Sequence, residues 1–356
     1  DMPTEGFPAN YDGSGVFSGN CYLDSNGVGT FLLLSSYGDL NQRLLLYSSA
    51  NIPAASTITP VTASPTNSST VSFSVSFSES VQNFNALADL VVSTTGSVTY
   101  SGATITGGPQ TYSVSITGVG GTGTLSLAAN TGSDVQDLEG FALGSSVTSS
   151  AVTIDNAGPT VTLSSSNQNP ANGAITVNAT LNESSTNFIS GDVTPTNAAV
   201  SGFSGSGTNY SFTLTPSGQG SFSAIVNAST FTDAIGNNNT ASNTLNYTYD
   251  SVAPTIALSS SASDPANAAI TVNATLSESS TNFASSDVTP TNAAVSGFSG
   301  SGTNYSFTLT PSAQGSFSAI VNASTFTDAA GNNNTASNTL SYTYDSVVPT
   351  IALSSA

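Results

Sequence analysis

Carboxylates are the only ionisable side chains that this sequence supplies in number, and the bases that usually accompany them are missing. The 356 residues include 20 acidic residues and a single basic one, with no His. A chain without His or Lys cannot form a Ser-His-Asp triad, a Cys-His pair, a Ser-Lys pair or a Schiff base. Most nucleophilic and covalent catalysis is therefore excluded.

Carboxylate pairs alone can hydrolyse glycosides, but the acids of this chain recur at a fixed spacing. The residues Glu183, Asp192, Asp233 and Asp250 are followed 95 residues later by Glu278, Asp287, Asp328 and Asp345. An acid that recurs in each copy of a unit is expected to serve the structure of that unit and not a single active site. We predict that the protein is not an enzyme.

The same spacing runs through the chain. Residues 159–253 are repeated at 254–348 with 13 of 95 positions changed, and a further copy begins at 349. A fixed period of this length marks a tandem array of one folded unit. The predicted segments are an N-terminal β segment, too short for its own core, at 1–52, a divergent repeat at 53–156, two near-identical repeats at 157–252 and 253–348, and the first strand of a further repeat, or a donor strand, at 349–356.

The composition limits the possible partners. The net charge of −19 comes from missing bases, and only 6% of the residues are charged. Without positive side chains the chain has no electrostatic attraction to phosphate, which argues against nucleic acid and anionic membrane. The single cysteine, Cys21, cannot form a disulfide within the chain. No run of about 18 apolar residues is present, so we predict no membrane span.

Apolar and polar residues alternate inside each unit. Every second residue is apolar in ITVNATL (175–181), and the period recurs in YSFTL (210–214), FSAIV (222–226) and LNYTY (245–249). Short alternating strands between Gly, Asn, Ser and Pro clusters are typical of antiparallel sheets with one buried face. About seven such strands in ~95 residues indicate an Ig-like sandwich. We predict an all-β protein of tandem Ig-like antiparallel β-sandwiches in an elongated array.

Three motifs carry a family resemblance from about residue 53 onwards. They are a TNYSFTLTP strand (303–311), a TDAAGN loop (327–332) and a DSVVPT junction (345–350). With these motifs the chain resembles the bacterial Ig-like repeats of large surface adhesins and extracellular matrix proteins. The resemblance implies an extracellular or cell-surface location.

The resemblance also implies calcium bound near the junctions between units. Each unit ends on an aspartate just before the proline that opens the next, at Asp155, Asp250 and Asp345. Because Ca²⁺ takes six to eight oxygen ligands, we expect Asp233 and Asp328 to contribute together with backbone carbonyls. The alternative is that these acids only form Asx turns, beside glycines that satisfy a positive φ.

Glycosylation is the second expected modification of the surface. Eleven N-x-S/T sequons occur, and the alternation places several of their asparagines opposite the apolar positions, facing solvent. The candidate sites are Asn178, Asn209, Asn227, Asn246, Asn273, Asn304 and Asn322. The alternative is that sequons arise by chance in a chain rich in Asn, Ser and Thr.

The partial unit at 349–356 bears on assembly. Its Ile351 and Leu353 are expected to be exposed on an unpaired strand. Such a strand either inserts into the N-terminal domain of the next subunit, which builds an open filament, or continues as a further repeat of a longer protein.

The sequence predicts a non-enzymatic extracellular structural protein, a subunit or segment of a surface stalk, fibre or filament. The alternatives are an adhesin for a surface glycan or another cell, and a virion decoration protein.

Overall fold

The computed structural model describes residues 10–11, 17–18 and 52–354, and the regular elements of these residues are strands and three short 3₁₀ turns. The all-β prediction is confirmed. Strands β1 (Asn10–Tyr11) and β2 (Phe17–Ser18) pair antiparallel. The rest of the N-terminal segment, predicted to be an incomplete domain, lies outside the described residues. No described helix is long and apolar enough to cross a membrane.

The chain divides into two compact units, residues 1–157 and 158–356. The first unit contains one module. Its strands are β3 (Ala54–Pro60), β4 (Thr70–Phe77), β5 (Val81–Gln82), β6 (Leu90–Thr94), β7 (Gly102–Gly107), β8 (Thr111–Thr117), β9 (Thr122–Ala129), β10 (Gln136–Asp137), β11 (Ser145–Ser146) and β12 (Val152–Asp155), with a 3₁₀ turn at Leu87–Asp89. A sheet in the order β11-β3-β4-β8-β7 and a sheet in the order β12-β9-β6 enclose one core, and β10 pairs with β5.

The second unit contains two modules with the same strand arrangement. The second module has β13 (Val161–Ser164), β14 (Ile175–Ser185), β15 (Val193–Thr196), β16 (Ala198–Pro216), β17 (Gly220–Val226) and β18 (Leu245–Tyr249). The third has β19 (Ile256–Ser259), β20 (Ile270–Ser280), β21 (Val288–Thr291), β22 (Ala293–Pro311), β23 (Gly315–Val321) and β24 (Leu340–Tyr344). A 3₁₀ turn precedes β15 (Ser190–Asp192) and β21 (Ser285–Asp287). The sheets run β13-β14-β16 and β15-β17-β18, then β19-β20-β22 and β21-β23-β24.

Burial follows the predicted alternation. From Ile175 to Leu181 every second residue of β14 is buried, and the residues between are exposed. Strand β13 pairs antiparallel with β14, with Val161 opposite Leu181, so that the apolar side chains of both strands lie on one face. The register repeats in the third module, with Ile256 opposite Leu276. Each of the three modules therefore has its own core.

The segment after β24 has the sequence of a first strand but forms none in residues 345–354. Its Ile351 and Leu353 are 85% and 89% exposed. The corresponding Ile256 and Leu258 are buried, because β19 pairs with β20 and faces the core of the third module. The two terminal side chains thus lie in solvent.

One buried asparagine holds the long loop after β23 in place. Asn334 is 2% exposed. Its side-chain oxygen accepts the N–H groups of Thr325 at 2.8 Å and Phe326 at 3.0 Å. Its amide nitrogen donates to the carbonyl oxygens of Asn322 and Thr335, each at 2.9 Å. Asn239 has the same partners in the second module.

We expect Asn334→Ala to lower the free energy of unfolding of the third module by about 2 to 4 kcal/mol, because buried backbone groups lose their partners. The adjacent Asn333 is exposed, so Asn333→Ala should change it by less than about 0.5 kcal/mol. Urea unfolding of both variants and the wild type measures the difference. Equal effects would contradict the assigned role of Asn334.

Candidate metal centre

Three carboxylates of the second unit meet where its two modules join. Side-chain oxygens of Asp250, Glu278 and Asp328 lie within 4.8 Å of one another. Asp250 follows β18 of the second module, whereas Glu278 lies near the end of β20 and Asp328 in the loop after β23, both in the third module. We call these three residues the junction carboxylates.

Asp250 is fixed by the end of its own module. Its backbone N–H donates to the carbonyl oxygen of Ala171 at 2.9 Å, next to the bridge between Ala171 and Tyr249. Its Oδ1 accepts the N–H of Val252 at 3.0 Å, which forms an Asx turn. Strand and turn together direct the carboxylate towards the following module.

Asp328 organises the TDAAGN loop. Its Oδ1 accepts the N–H groups of Ala330 and Asn332, both at 2.8 Å, and its Oδ2 accepts the amide of Asn332 at 2.9 Å. Gly331 allows this tight loop because it adopts a φ of +87°, which side-chain-bearing residues rarely adopt. The amide of Asn332 also donates to the carbonyl oxygen of Asp250 at 2.8 Å. The loop is thereby connected to the preceding module.

The other two junction carboxylates act on the carboxyl group of Glu278. Burial raises the pKa of its carboxyl group, and the negative charges of Asp250 and Asp328 raise it further. Residues 52–354 include no Lys, Arg or His that could compensate these charges. The junction carboxylates therefore favour a proton or a metal cation between them.

The donor set fits a hard divalent cation. Three carboxylates offer up to six oxygens, the type and number that Ca²⁺ prefers. The N–H groups on Asp250 and Asp328 hold these carboxylates in place without occupying all of their lone pairs. At 4.8 Å two ionised carboxylates repel each other by on the order of 3 kcal/mol at an effective dielectric constant of about 20. A bound cation would offset that repulsion.

The other two junction aspartates form the Asx turns of the alternative interpretation. Asp345, after β24, accepts the N–H of Val347 at 2.9 Å, and Asp155, at the end of β12, accepts the N–H of Ala157 at 3.1 Å. Within the described residues, Asp345 belongs to no group of three acids. Asx turns and a metal site therefore do not exclude each other, since Asp250 takes part in both arrangements.

Asp233 has the same loop contacts as Asp328. Its Oδ1 accepts the N–H groups of Ile235 and Asn237, each at 2.9 Å, and its Oδ2 accepts the amide of Asn237 at 2.8 Å. Burial favours the neutral acid, but these hydrogen bonds, with the N–H of Gly236, outweigh it and hold the pKa of Asp233 below its usual value. The carboxylate therefore stabilises the fold above its ordinary pKa, and this contribution is lost as the pH falls.

Two features of the acidic groups escaped the sequence-based prediction. Glu278 was assigned to structure alone, although it recurs at the same spacing as Asp250 and Asp328. In the first module, oxygens of Glu79, Asp137 and Glu139 also lie within 4.8 Å of one another. The loop QDLEGFAL (136–143) aligns with TDAAGNNN (327–334) and pairs Asp137 with Asp328, so this alignment could have indicated the group.

The seven candidate glycosylation asparagines are all exposed. They lie on β14, β16, β18, β20 and β22 and directly after β17 and β23: Asn178, Asn209, Asn246, Asn273, Asn304, Asn227 and Asn322. The amide of Asn227 donates to the Thr194 hydroxyl at 2.9 Å, and the amide of Asn322 donates to Thr289 at 3.0 Å. Since a glycosylated amide nitrogen retains one hydrogen, these contacts are compatible with a sugar.

The family described as bacterial Ig-like domain matches residues 155–249 and 250–344. These two adjoining stretches cover more than half of the chain. A search of curated proteins finds no match.

Several solved structures are similar to the chain. The FdeC adhesin of Escherichia coli is 19% identical, with a TM-score of 0.40 over 82% of this chain and 97% of that one. Invasin, a bacterial integrin-binding protein, is 12% identical, with a TM-score of 0.33 over 81% of this chain and 60% of that one. InvD of Yersinia pseudotuberculosis is 14% identical, with a TM-score of 0.30 over 82% of this chain and 97% of that one.

Replacement of Glu278 tests the metal centre. The pKa of Glu278 is raised above its ordinary 4.5. Without a cation, the protonated side chain therefore contributes to the stability of the fold below pH 4.5. This contribution is lost as the pH rises through the pKa of Glu278 in the folded state. In EDTA at pH 7 we expect Glu278→Gln to raise the free energy of unfolding by about 1 kcal/mol after solvent screening. With CaCl₂ in about hundredfold excess over the dissociation constant, the free energy of unfolding of the wild type should rise by about 2.7 kcal/mol. That of the variant should rise by much less.

Denaturant unfolding at several pH values, with CaCl₂ and with EDTA, measures both effects. Asp134→Asn is the matched control, because it removes one negative charge from an exposed carboxylate of the first module. If the Glu278→Gln variant keeps the full calcium response, calcium does not bind at this site.

Proposed function

Since the chain belongs to the bacterial Ig-like domain family, we propose that it is a non-enzymatic structural protein of the cell exterior, a subunit or segment of a surface stalk, fibre or filament. The junction in the second unit is the observation that carries this proposal. Two near-identical modules are joined there by direct contacts, and copies of this kind add length to an array. A ligand-binding site would be expected to differ between copies.

The contacts at the junction restrict movement between the second and third modules. The amide of Asn332 donates to the carbonyl oxygen of Asp250 at 2.8 Å. The amide of Gln168 donates to the carbonyl oxygen of Ala329, and Gly331 lies beside the Asn172 side chain. A linker reinforced by such contacts bends less than a free peptide, which suits a stalk.

Calcium is the second agent that we propose for rigidity. Asp250 from one module and Glu278 and Asp328 from the next would hold the ion and connect the modules through it. The ion would also neutralise most of the negative charge of the junction carboxylates. By the 95-residue repeat, Asp155 and Asp233 occupy the corresponding sequence positions for the second module.

Assembly by strand donation is proposed from the exposure of Ile351 and Leu353. Each occupies a position that is buried at the start of the second and third modules, and each needs an apolar face to cover it. The N-terminal segment of the next subunit, which the sequence predicts to be an incomplete domain, would provide that face. In the alternative, the segment continues as a further repeat of a longer protein and is covered within the same chain.

Glycans are proposed for the exposed sequon asparagines. The outer faces of the sheets carry almost no charge, and uncharged edges of a sheet invite pairing with other chains. Sugars on Asn178 and Asn209, which lie on adjoining strands, would cover one such face. The proposal fits a protein displayed outside the cell.

Removing the apolar side chains of the terminal segment tests strand donation. We expect the double variant Ile351→Ser, Leu353→Ser, and the deletion of residues 349–356, to leave monomers where the wild type forms filaments. Electron microscopy and sedimentation velocity provide the measurement, and Val61→Ser, which removes another exposed apolar side chain, is the control. Filaments formed as before would rule out donation.

The mass of the native protein tests glycosylation. We expect the intact mass to exceed the 35.4 kDa of the bare chain by several glycans, and to fall by one glycan for each of Asn178→Gln and Asn209→Gln. Asn156→Gln, outside any sequon, should leave the mass nearly unchanged. A native mass equal to that of the bare chain would exclude the proposal.

A further inference from the structure

The junction in the second unit shows which loop positions meet a neighbouring module. Two positions of the third module make these contacts. The carbonyl oxygen of Ala329 accepts the amide of Gln168, and the amide of Asn332 donates to the carbonyl oxygen of Asp250. The contact thus pairs a small or polar residue of one module with a polar group of the other.

The first module carries large apolar residues at the same two positions. Its loop QDLEGFAL (136–143) aligns with TDAAGNNN (327–334), so that Leu138 corresponds to Ala329 and Phe141 to Asn332. The side chains of Leu138 and Phe141 are 67% and 39% exposed. Two exposed apolar side chains therefore occupy the positions that contact the neighbouring module in the junction.

Both loops have the same conformation, so the correspondence is structural as well as sequential. Asp137 Oδ1 accepts the N–H of Phe141 at 2.8 Å, just as Asp328 Oδ1 accepts the N–H of Asn332. Each aspartate also donates its own N–H to the carbonyl oxygen of the same partner, at 3.0 Å and 3.2 Å respectively. Leu138 and Phe141 are therefore presented by a fixed loop.

The end of the third module that lies away from the second module carries smaller side chains than the equivalent end of the second module. Asn167 and Gln168 of the second module are replaced there by Ala262 and Ser263. The long amide that reaches the neighbouring loop is thus missing. An open surface depression of about 330 Å³ lies at this place, lined by Ala262, Ser263, Pro265, Ala266 and Ile270 among others.

We propose that Leu138 of one copy of this chain packs into the open depression beside Ser263 of a second copy. A larger residue on one surface then meets a smaller one on the other, so a Leu–Ser pair replaces the observed Ala–Gln pair. Phe141 lies near Asp345 of the second copy, as Asn332 lies near Asp250. Because two different surfaces meet, copies add one after another without closing into a ring of two.

The proposed interface would bring several acidic side chains close together. The first module brings Glu79, Asp137 and Glu139 to it, and the second copy brings Asp345. Since residues 52–354 contain no positive side chain, these carboxylates would repel one another at close range. Association is therefore expected with a divalent cation present and is lost in EDTA.

This inference rests on the proposed assembly into filaments but assigns a contact different from strand donation. A swap of side-chain sizes tests it in the full chain. Leu138→Ala leaves a gap and Ser263→Gln fills the depression, and each should weaken self-association in CaCl₂ at least about tenfold. The double variant restores the Ala–Gln pair of the observed junction and should recover association. Sedimentation equilibrium gives the association constants.

Ile189→Ser is the control, because it removes an apolar side chain of similar exposure from the second module. Unfolding curves like that of the wild type establish that the fold of each variant is intact. Single variants that associate like the wild type, or a double variant that fails to recover, would overturn the interface. So would a wild type that stays monomeric in CaCl₂, an outcome that still leaves the chain as a stalk segment of a longer protein.

Deletion of residues 349–356 separates the two modes of assembly. If the deletion abolishes association while the single variants leave it unchanged, strand donation stands and the Leu138 interface fails. If the single variants abolish association while the deletion does not, the Leu138 interface stands alone. Loss in both experiments supports the interface, with the terminal segment as part of it.

Discussion

The lack of positive side chains is the constraint on which the loops and junctions of this protein depend. Residues 52–354 contain no Lys, Arg or His, so a carboxylate there has no cationic side chain of that range to pair with. It must be stabilised by N–H groups, hydroxyls, water, a proton or a metal cation. Asp89, which is almost fully buried, accepts the N–H groups of Asn85 at 2.9 Å and Ala86 at 2.8 Å. Asp137, Asp233 and Asp328 each organise a loop in the same way.

The same constraint acts on the junction carboxylates. Asp250 and Asp328 receive N–H groups from their own turns. Glu278 lies instead in the irregular part of β20, where the register with β22 shifts between Thr275 and Ser280. Its raised pKa records burial and two negative neighbours. A module that ends in aspartate and a module whose TDAAGN loop contacts that aspartate thus create, on joining, a place suited to a cation.

The modules also show where a repeat protein can vary without loss of its fold. The strands that form the cores of the second and third modules differ only conservatively at their buried positions, because close packing tolerates little change. The other differences lie on exposed faces of strands and in loops, some of them at module ends, as at Ala262, Ser263 and Val348. In the first module the loop that corresponds to TDAAGN carries Leu138 and Phe141. Variation at the ends changes what each module can contact, and the sandwich between them stays the same.

The sequence by itself determined the fold class and the buried face of each strand. In ITVNATL (175–181) the period of two specifies the register, because a shift by one residue would turn the whole apolar set to solvent. The 95-residue repeat likewise indicated that the recurring acids belong to the modules. These features are local or periodic, so they can be read along the chain.

Only the tertiary structure decided which acids meet and which asparagines are buried. Glu278 joins Asp250 and Asp328 because the end of one module meets a strand and a loop of the next, and no local pattern encodes such distances. Asn333 and Asn334 are neighbours of the same type, yet the first is an exposed sequon residue and the second holds a loop together from inside. The loop conformation assigns these roles, since it alone determines which side chain turns inward.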